Sequence, residues 1–418
     1  MKLDDVICSL RLQNYRKVLE VGWSDSQKSM PAEMSIFEDD PLKNAAKILS
    51  FPDKIIHDIG RAASRIRQSR EHTALIWYFH HRLFISEDIV PVDPKKWPPL
   101  EMLEGSLQDD AYMFYYIVLL SGICFIMSKM EKVQSVRAIP SEIILDTLDD
   151  MAGDLGDYNK MYGGLPPGSL GFRVNINFGG EYFRLGRLSF HLTASKAKIR
   201  VFRNIFNGRV VVLSELGVKY TDDGQLYGPG RKNTGKETWT SRLSVDEERI
   251  SGHPVVPQGR TVKEQIVLCK SEWKQELAFG DPVLDIHIPG GMPLDLEECK
   301  EAMSAAMAFF KRYFPEKQAA AFTCFSWLMD TRLQELLPCD SNIIRFQKEF
   351  YLFPAIADDD ILFKNIAGGS RYRAEQSVKK TSLQRKLFER LSSDEDFHAS
   401  AGGCFLLFKD FDRGKRVY

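Results

Sequence analysis

The stretch from Val283 to Leu328 constrains the fold most strongly. Val283–Ile288 (VLDIHI) alternates, so Val283, Asp285 and His287 share one face and Leu284, Ile286 and Ile288 the other. Pro289-Gly290-Gly291 then bends the chain. From Leu296 to Phe314 apolar residues recur at helical spacing through Cys299, Ala302, Met303, Ala306, Phe310 and Phe314. Ala319–Met329 is a second strand-like run. Two strands separated by one helix make parallel neighbours in an α/β sheet. The Leu/Ile face of the first strand is expected to pack on a helix. Small residues at Ala302, Ala305, Ala306 and Ala308 let the helix approach the sheet closely.

Strand signals surround this unit. Tyr182–Leu192 alternates in part, and Ile199–Phe206 and Arg209–Leu213 flank Asn207-Gly208, a two-residue hairpin signal. Phe350–Phe353 and Cys404–Phe408 are further apolar runs, and Ser382–Leu391 reads as a helix. Thr221–Arg260 is rich in Gly, Pro and charge and reads as a long loop excursion.

Upstream of Gly163–Gly168 the character is helical. One helix is expected from Pro41 toward Phe51. A second carries Ile55, Ile56, Ile59, Ala62, Ala63 and Ile66 and runs on toward Leu75–Phe79. Pro91, Pro94, Pro98 and Pro99 break the chain into a loop. Helices resume at Ala111–Met130 and after Pro140, where Ile143, Ile144, Leu148 and Met151 form a stripe. Ala111–Met127 would span only about 25 Å as a helix, short of a ~30 Å hydrocarbon core. It reads as a helix buried on all sides. The expected organisation is an α-helical domain over 1–165 and a mixed-sheet α/β domain over 166–418.

Composition bounds the function. The 418 residues suit two to three domains. With 44% apolar residues the chain is neither mainly disordered, nor collagen-like, nor a multi-span membrane protein. Lys+Arg (56) balances Asp+Glu (57), so no whole-protein grip on nucleic acid or an anionic membrane is expected. The seven cysteines are scattered and never spaced C-x-x-C. That pattern is neither a disulfide framework nor a zinc ribbon, and fits a reducing cytoplasm. The start Met1-Lys2-Leu3-Asp4-Asp5 is acidic where a secretory signal would be basic and then apolar.

Several residues invite chemistry. Asp285 and His287 stand two residues apart on one strand face, about 7 Å between Cα atoms. His287 is a general-base candidate, since histidine titrates near neutral pH. A core-edge histidine bonded to backbone is the plainer alternative. Gly290 and Gly291 before the helix let backbone N–H groups approach an anion. Asp295 and Glu298 form a capping-box pair that would occupy the helix's own first donors, and Pro293 has no N–H. A diphosphate would then use Gly290, Gly291 and Met292. Gly230–Glu237 approximates a phosphate loop, but Glu237 stands where Ser or Thr must hold Mg²⁺; Arg231, Lys232 and Lys236 are a local anion patch or a solvated loop. His80-His81 has no companion ligand at metal spacing. His253 is expected to be exposed in the long loop. Asn342 and Arg345 are placed at the start of a strand-like run, with Arg345 either clamping an anion or paired to an acid such as Asp340. Cys324, with Phe325 and Trp327 as neighbours, reads as buried, against a covalent Cys/His role.

Four segments together resemble a bacterial acyltransferase-like family that pairs a helical N-terminal domain with a GNAT-like C-terminal domain. They are His287-Ile-Pro-Gly-Gly-Met-Pro-Leu294, Phe310-Lys-Arg-Tyr-Phe-Pro315, Cys324-Phe-Ser-Trp-Leu328 and Leu337-Pro-Cys-Asp-Ser-Asn-Ile-Ile-Arg-Phe-Gln347. Gly186-Arg187-Leu188-Ser189-Phe190 fits the same pattern. The resemblance implies acetyl-CoA or another acyl-CoA as co-substrate, no metal, and a small-molecule or peptide amine as acceptor. It implies that the strands at Val283–Ile288 and Phe322–Leu328 splay apart around the donor. The backbone of Ile286 and Ile288 would pair with the pantetheine arm, and Gly290, Gly291 and Met292 would face the pyrophosphate. His287 takes the base position, supported by Asp285. Ser326, Cys324 or Tyr351 would protonate the leaving thiolate. Pro289–Leu294 departs from the [QR]-x-x-G-x-[GA] loop of that fold, and a non-catalytic ligand- or partner-binding protein is the alternative reading.

Overall fold

The computed structural model describes residues 1–49, 51–86, 93–162, 164–170, 180–228, 237–356 and 401–411, with isolated positions at 174, 383, 385, 386 and 389. The Gly230–Lys236 segment and most of Ser382–Leu391 lie outside the described residues. The chain forms two compact units, Met1–Arg184 and Leu185–Tyr418. Strand Tyr182–Leu185 straddles that boundary.

The first unit is helical. Asp53–Gln68 buries Ile55, Ile56, Ile59, Ala62, Ala63 and Ile66, the stripe read from the sequence. It stops at Ser69, whose backbone is extended and whose hydroxyl accepts from the His72 N–H, so Arg70–His80 is a separate helix. The apolar run also divides. Phe114–Ser121 and Ile123–Arg137 meet at Gly122, where a Cβ would lie 2.2 Å from the Phe84 ring. Every residue of Phe114–Ser121 is buried. Its Tyr115 and Tyr116 hydroxyls donate to the Pro98 and Leu155 carbonyls, each at 2.6 Å. No helix among the described residues is long and apolar enough to cross a membrane. His80 sits 2.8 Å from the Ser121 hydroxyl and stacks on Trp77, and burial pushes its pKa down to about 4. It is a core histidine.

The second unit is built on strands. In chain order they are β1 (Tyr182–Leu185), β2 (Leu188–Ala194), β3 (Ile199–Asn204), β4 (Val210–Ser214), β5 (Lys219–Thr221), β6 (Thr238–Thr240), β7 (Leu243–Val245) and β8 (Arg249–Gly252). They continue with β9 (Pro254–Val256), β10 (Arg260–Thr261), β11 (Ile266–Cys269), β12 (Trp273–Leu277), β13 (Pro282–His287) and β14 (Ala321–Ser326), then β15 (Tyr351–Pro354) and β16 (Gly402–Leu407). Helix α1 (Leu296–Tyr313) joins β13 to β14, and helix α2 (Asn342–Gln347) precedes β15.

A six-stranded mixed sheet has the order β1-β2-β13-β14-β16-β15, with β13 and β14 parallel and the pairs flanking them antiparallel. A five-stranded sheet, β10-β9-β4-β3-β12, packs on one of its faces. There Val201, Val212, Val255 and Leu277 meet Val283, Ala321, Tyr351 and Phe405 in one core. The opposite face carries α1, which buries Cys299, Ala302, Met303 and Ala306 as expected.

Two expectations change. The Thr221–Arg260 excursion carries β6, β7, β8 and β9, strands of three or four residues. Strands that short cannot show an alternating pattern among glycines and charges. His253 lies buried between β8 and β9 with its ring 4.8 Å from Trp239, not in solvent. Asn342–Gln347 is helical, not strand-like, because the Ser341 hydroxyl caps it by accepting from the Ile344 N–H. Arg345 faces solvent on that helix.

The glycines of β16 make the sheet's far edge possible. A Cβ on Gly402 would stand 1.9 Å from the Met329 carbonyl oxygen, and one on Gly403 2.1 Å from the Phe353 ring. The backbone oxygen cannot rotate away. Gly402→Ala is expected to lower stability by about 1–3 kcal/mol, read from the urea midpoint; an unchanged midpoint contradicts the packing described.

Candidate active site

The centre of the sheet holds an interrupted ladder. Strands β13 and β14 pair only at Leu284↔Phe322 and Asp285↔Thr323. Beyond that point each keeps its outer partner alone. Ile286 and His287 stay opposite Phe190 and Ser189 of β2, while Cys324, Phe325 and Ser326 stay opposite Cys404, Gly403 and Gly402 of β16. The inner edges of both strands are therefore unpaired toward their C-terminal ends. Unpaired strand edges present N–H and C=O groups to whatever enters between them.

The strand alternation sorts the side chains around this gap. On the face of the five-stranded sheet stand Asp285 and His287, their Oδ2 and Nε2 atoms 3.6 Å apart. The Thr323 hydroxyl donates to the Asp285 carboxylate at 2.8 Å across the last rung of the ladder. Cross-strand from Asp285 is His191, whose ring centroid lies 6.5 Å from that of His287. Burial pushes the Asp285 carboxyl up to about 6, against the pull of the Thr323 hydroxyl and of Lys196. The two histidines and the carboxyl thus cluster beside the gap.

On the other face, toward α1, stand Leu284, Ile286, Phe322, Cys324 and Ser326. Cys324 is buried opposite Cys404, and Phe325 and Trp327 flank it in sequence. The Ser326 hydroxyl, at the C-terminal end of β14, accepts from the Leu328 N–H at 3.2 Å and retains its own proton to donate. Tyr351 is brought elsewhere: its buried hydroxyl donates to the Val255 carbonyl at 2.6 Å, and burial raises its pKa. A shallow cleft lies on the α1 side, lined by Leu296, Cys299, Met303, Phe346, Phe350 and Leu406. Burial pushes the Cys299 thiol there up to about 11, so it is not a nucleophile at neutral pH.

Gly290, Gly291 and Met292 form an exposed loop after β13, following half-buried Ile288. Gly291 has φ +83°, a conformation that favours glycine, with open space where a Cβ would point. Asp295 caps α1 by accepting from the Glu297 and Glu298 N–H groups at 3.0 and 3.1 Å. Beneath the loop lies buried Arg187, from the β1–β2 turn. Sequence reading passed over Arg187, His191 and Thr323 as candidates. His191 and Thr323 were detectable only by knowing which strands neighbour β13.

The GNAT-like C-terminal domain family profile matches residues 182–404. The chain belongs to that family. No curated protein matches it. Solved structures similar in fold include an acyltransferase mutant in complex with octanoyl-CoA, 18% identical with TM-score 0.64. An acyltransferase in complex with decanoyl-CoA and teicoplanin, and one with CoA and a teicoplanin derivative, are each 19% identical with TM-score 0.64. In each case the likeness covers 97% of this chain and 99% of the other. In this GNAT-like domain the parted β13 and β14 hold the position between helix α1 and the second sheet.

The Asp285 environment sets a pH signature. Its folded pKa, about 6, lies above the ordinary 3.8, so the native state holds a proton that the unfolded chain releases across that window. Wild-type stability relative to Asp285→Asn is therefore expected to fall as pH rises from about 4 to 6 and to level off above, by up to about 3 kcal/mol. Urea unfolding of both proteins at several pH values reads this directly; a pH-independent difference refutes the burial argument.

Proposed function

We propose that this protein is an acyl-CoA-dependent N-acyltransferase that moves an acyl group to an amine of a small molecule by direct attack. The observation that carries the reading is the ladder between β13 and β14 ending at Asp285↔Thr323, with both strands continuing on their outer partners. The unpaired edge at Ile286–Ile288 would take the amides of the pantetheine arm as an added strand. Gly290, Gly291 and Met292 would face the diphosphate. The similar acyltransferase structures that carry octanoyl-CoA, decanoyl-CoA or CoA, some of them together with teicoplanin, support the donor class and a small-molecule acceptor.

The two faces of the sheet divide the work. The donor approaches from the α1 side and its thioester reaches the gap. The amine approaches from the face holding Asp285 and His287, 3.6 Å apart. The nitrogen lone pair adds to the thioester carbonyl, forming the C–N bond, and His287 takes the proton that the nitrogen sheds. Asp285 orients the imidazole and offsets the imidazolium charge, and Thr323 holds Asp285. The C–S bond then breaks. A thiol has an ordinary pKa of about 8.5, so CoA leaves without a strong acid; the Ser326 hydroxyl donates a hydrogen bond to the departing sulfur. His287 returns its proton to solvent. Cys324, buried opposite Cys404, and Tyr351, committed to the Val255 carbonyl, take no part in this scheme.

Two measurements test the reading. Calorimetry with acetyl-, octanoyl- and decanoyl-CoA is expected to detect binding of at least one donor; none at millimolar concentration overturns it. His287→Ala is expected to lower kcat by roughly 10²–10⁴-fold while donor affinity is retained. Full turnover in that variant removes His287 as the base.

A further inference from the structure

Arg187 is buried in the turn between β1 and β2, and its guanidinium reaches one loop. Its Nη1 donates to the Pro289 carbonyl at 3.0 Å, Nη2 to the Met292 carbonyl at 2.9 Å and Nε to the Pro293 carbonyl at 2.7 Å. Three carbonyls of the Pro289–Pro293 loop, exposed from Gly290 onward, are thereby drawn inward to one rigid fork. The consequence for the amides follows from peptide geometry. In a planar trans peptide the N–H points opposite to the C=O of the same unit. With the Pro289 and Pro293 carbonyls turned to Arg187, the N–H groups of Gly290 and Leu294 must point away from it. The Met292 carbonyl shares its peptide with Pro293, which carries no N–H.

The helix itself cannot do this job. Asp295 already accepts from the Glu297 and Glu298 amides, and the first turn of α1 holds acidic Glu297 and Glu298. These side chains repel an anion from the helix end. The donors left to meet one are those of the loop, and the positive charge behind them is Arg187. Gly291, with open space where a Cβ would be, leaves the loop's outer side clear for close approach.

We propose that Arg187 is a positioning residue that fixes the Pro289–Pro293 loop with the Gly290 amide turned outward to receive the diphosphate of the acyl donor. The inference rests on the acyl-CoA reading above and adds the part of the chain that fits its anionic end. It does not require Arg187 to touch the donor.

The test compares two donors in one variant. Octanoyl-CoA carries the diphosphate; octanoyl-N-acetylcysteamine has the same thioester without it. Arg187→Lys keeps the charge and loses the fork, so the KM for octanoyl-CoA is expected to rise roughly tenfold with kcat unchanged. The kcat/KM for octanoyl-N-acetylcysteamine should stay at the wild-type value, and calorimetric affinity for CoA should weaken by a similar factor. Arg187→Gln, with two N–H donors and no charge, is read in the same way if the lysine variant does not fold. An equal loss on both donors, or an unchanged affinity for CoA, overturns the role of Arg187 alone. A wild-type protein that binds no CoA overturns both this role and the acyltransferase reading.

Discussion

The second unit depends on how two parallel strands resolve a competition for partners. Strand β13 can follow β2, to which it is laddered along its whole length, or stay with β14. Strand β14 is laddered just as fully to β16. Antiparallel pairing is somewhat more stable per residue than parallel pairing. Where the two pairs part, the shared parallel rungs are the ones released. Only Leu284↔Phe322 and Asp285↔Thr323 remain. A gap that would be a defect elsewhere becomes a slot with hydrogen-bonding walls.

What borders the slot follows from the two-residue period of a strand. Polar Asp285, His287 and His191 share a face with the apolar Val283, Ala321 and Phe405, which lie where the second sheet covers them. Where that cover ends, the face turns chemical. The other face stays apolar under α1 until Ser326. The two sides of one sheet therefore offer different environments along the slot. No side chain has to cross from one to the other.

The polar face is also an energetic liability that the fold keeps small. Asp285 is held in surroundings poor in water, and its carboxyl responds by gaining proton affinity. A single hydroxyl, Thr323, and a nearby histidine are its close partners. Such a carboxyl responds strongly to a positive charge beside it, as when an imidazole accepts a proton. Arg187 shows the opposite economy. Its guanidinium donates to three backbone oxygens of one loop and so ties that loop's shape to a buried charge.

The sequence by itself determined the local pieces. The VLDIHI alternation assigned the faces of β13, the helical spacing from Leu296 assigned the buried stripe of α1, and Asp295 announced the helix start. Each is set by neighbours within a few residues, so each is legible in one dimension. The resemblance in the His287–Leu294 and Cys324–Leu328 segments pointed to the right fold. The end of the β13–β14 ladder, the approach of His191 and Thr323 to Asp285, the commitment of Tyr351 to Val255 and the seat of Arg187 beneath the loop were decided only in three dimensions. These contacts join residues from 38 to more than 100 positions apart. Strand register and burial arise from the packing of whole sheets, and no local pattern of residues encodes them.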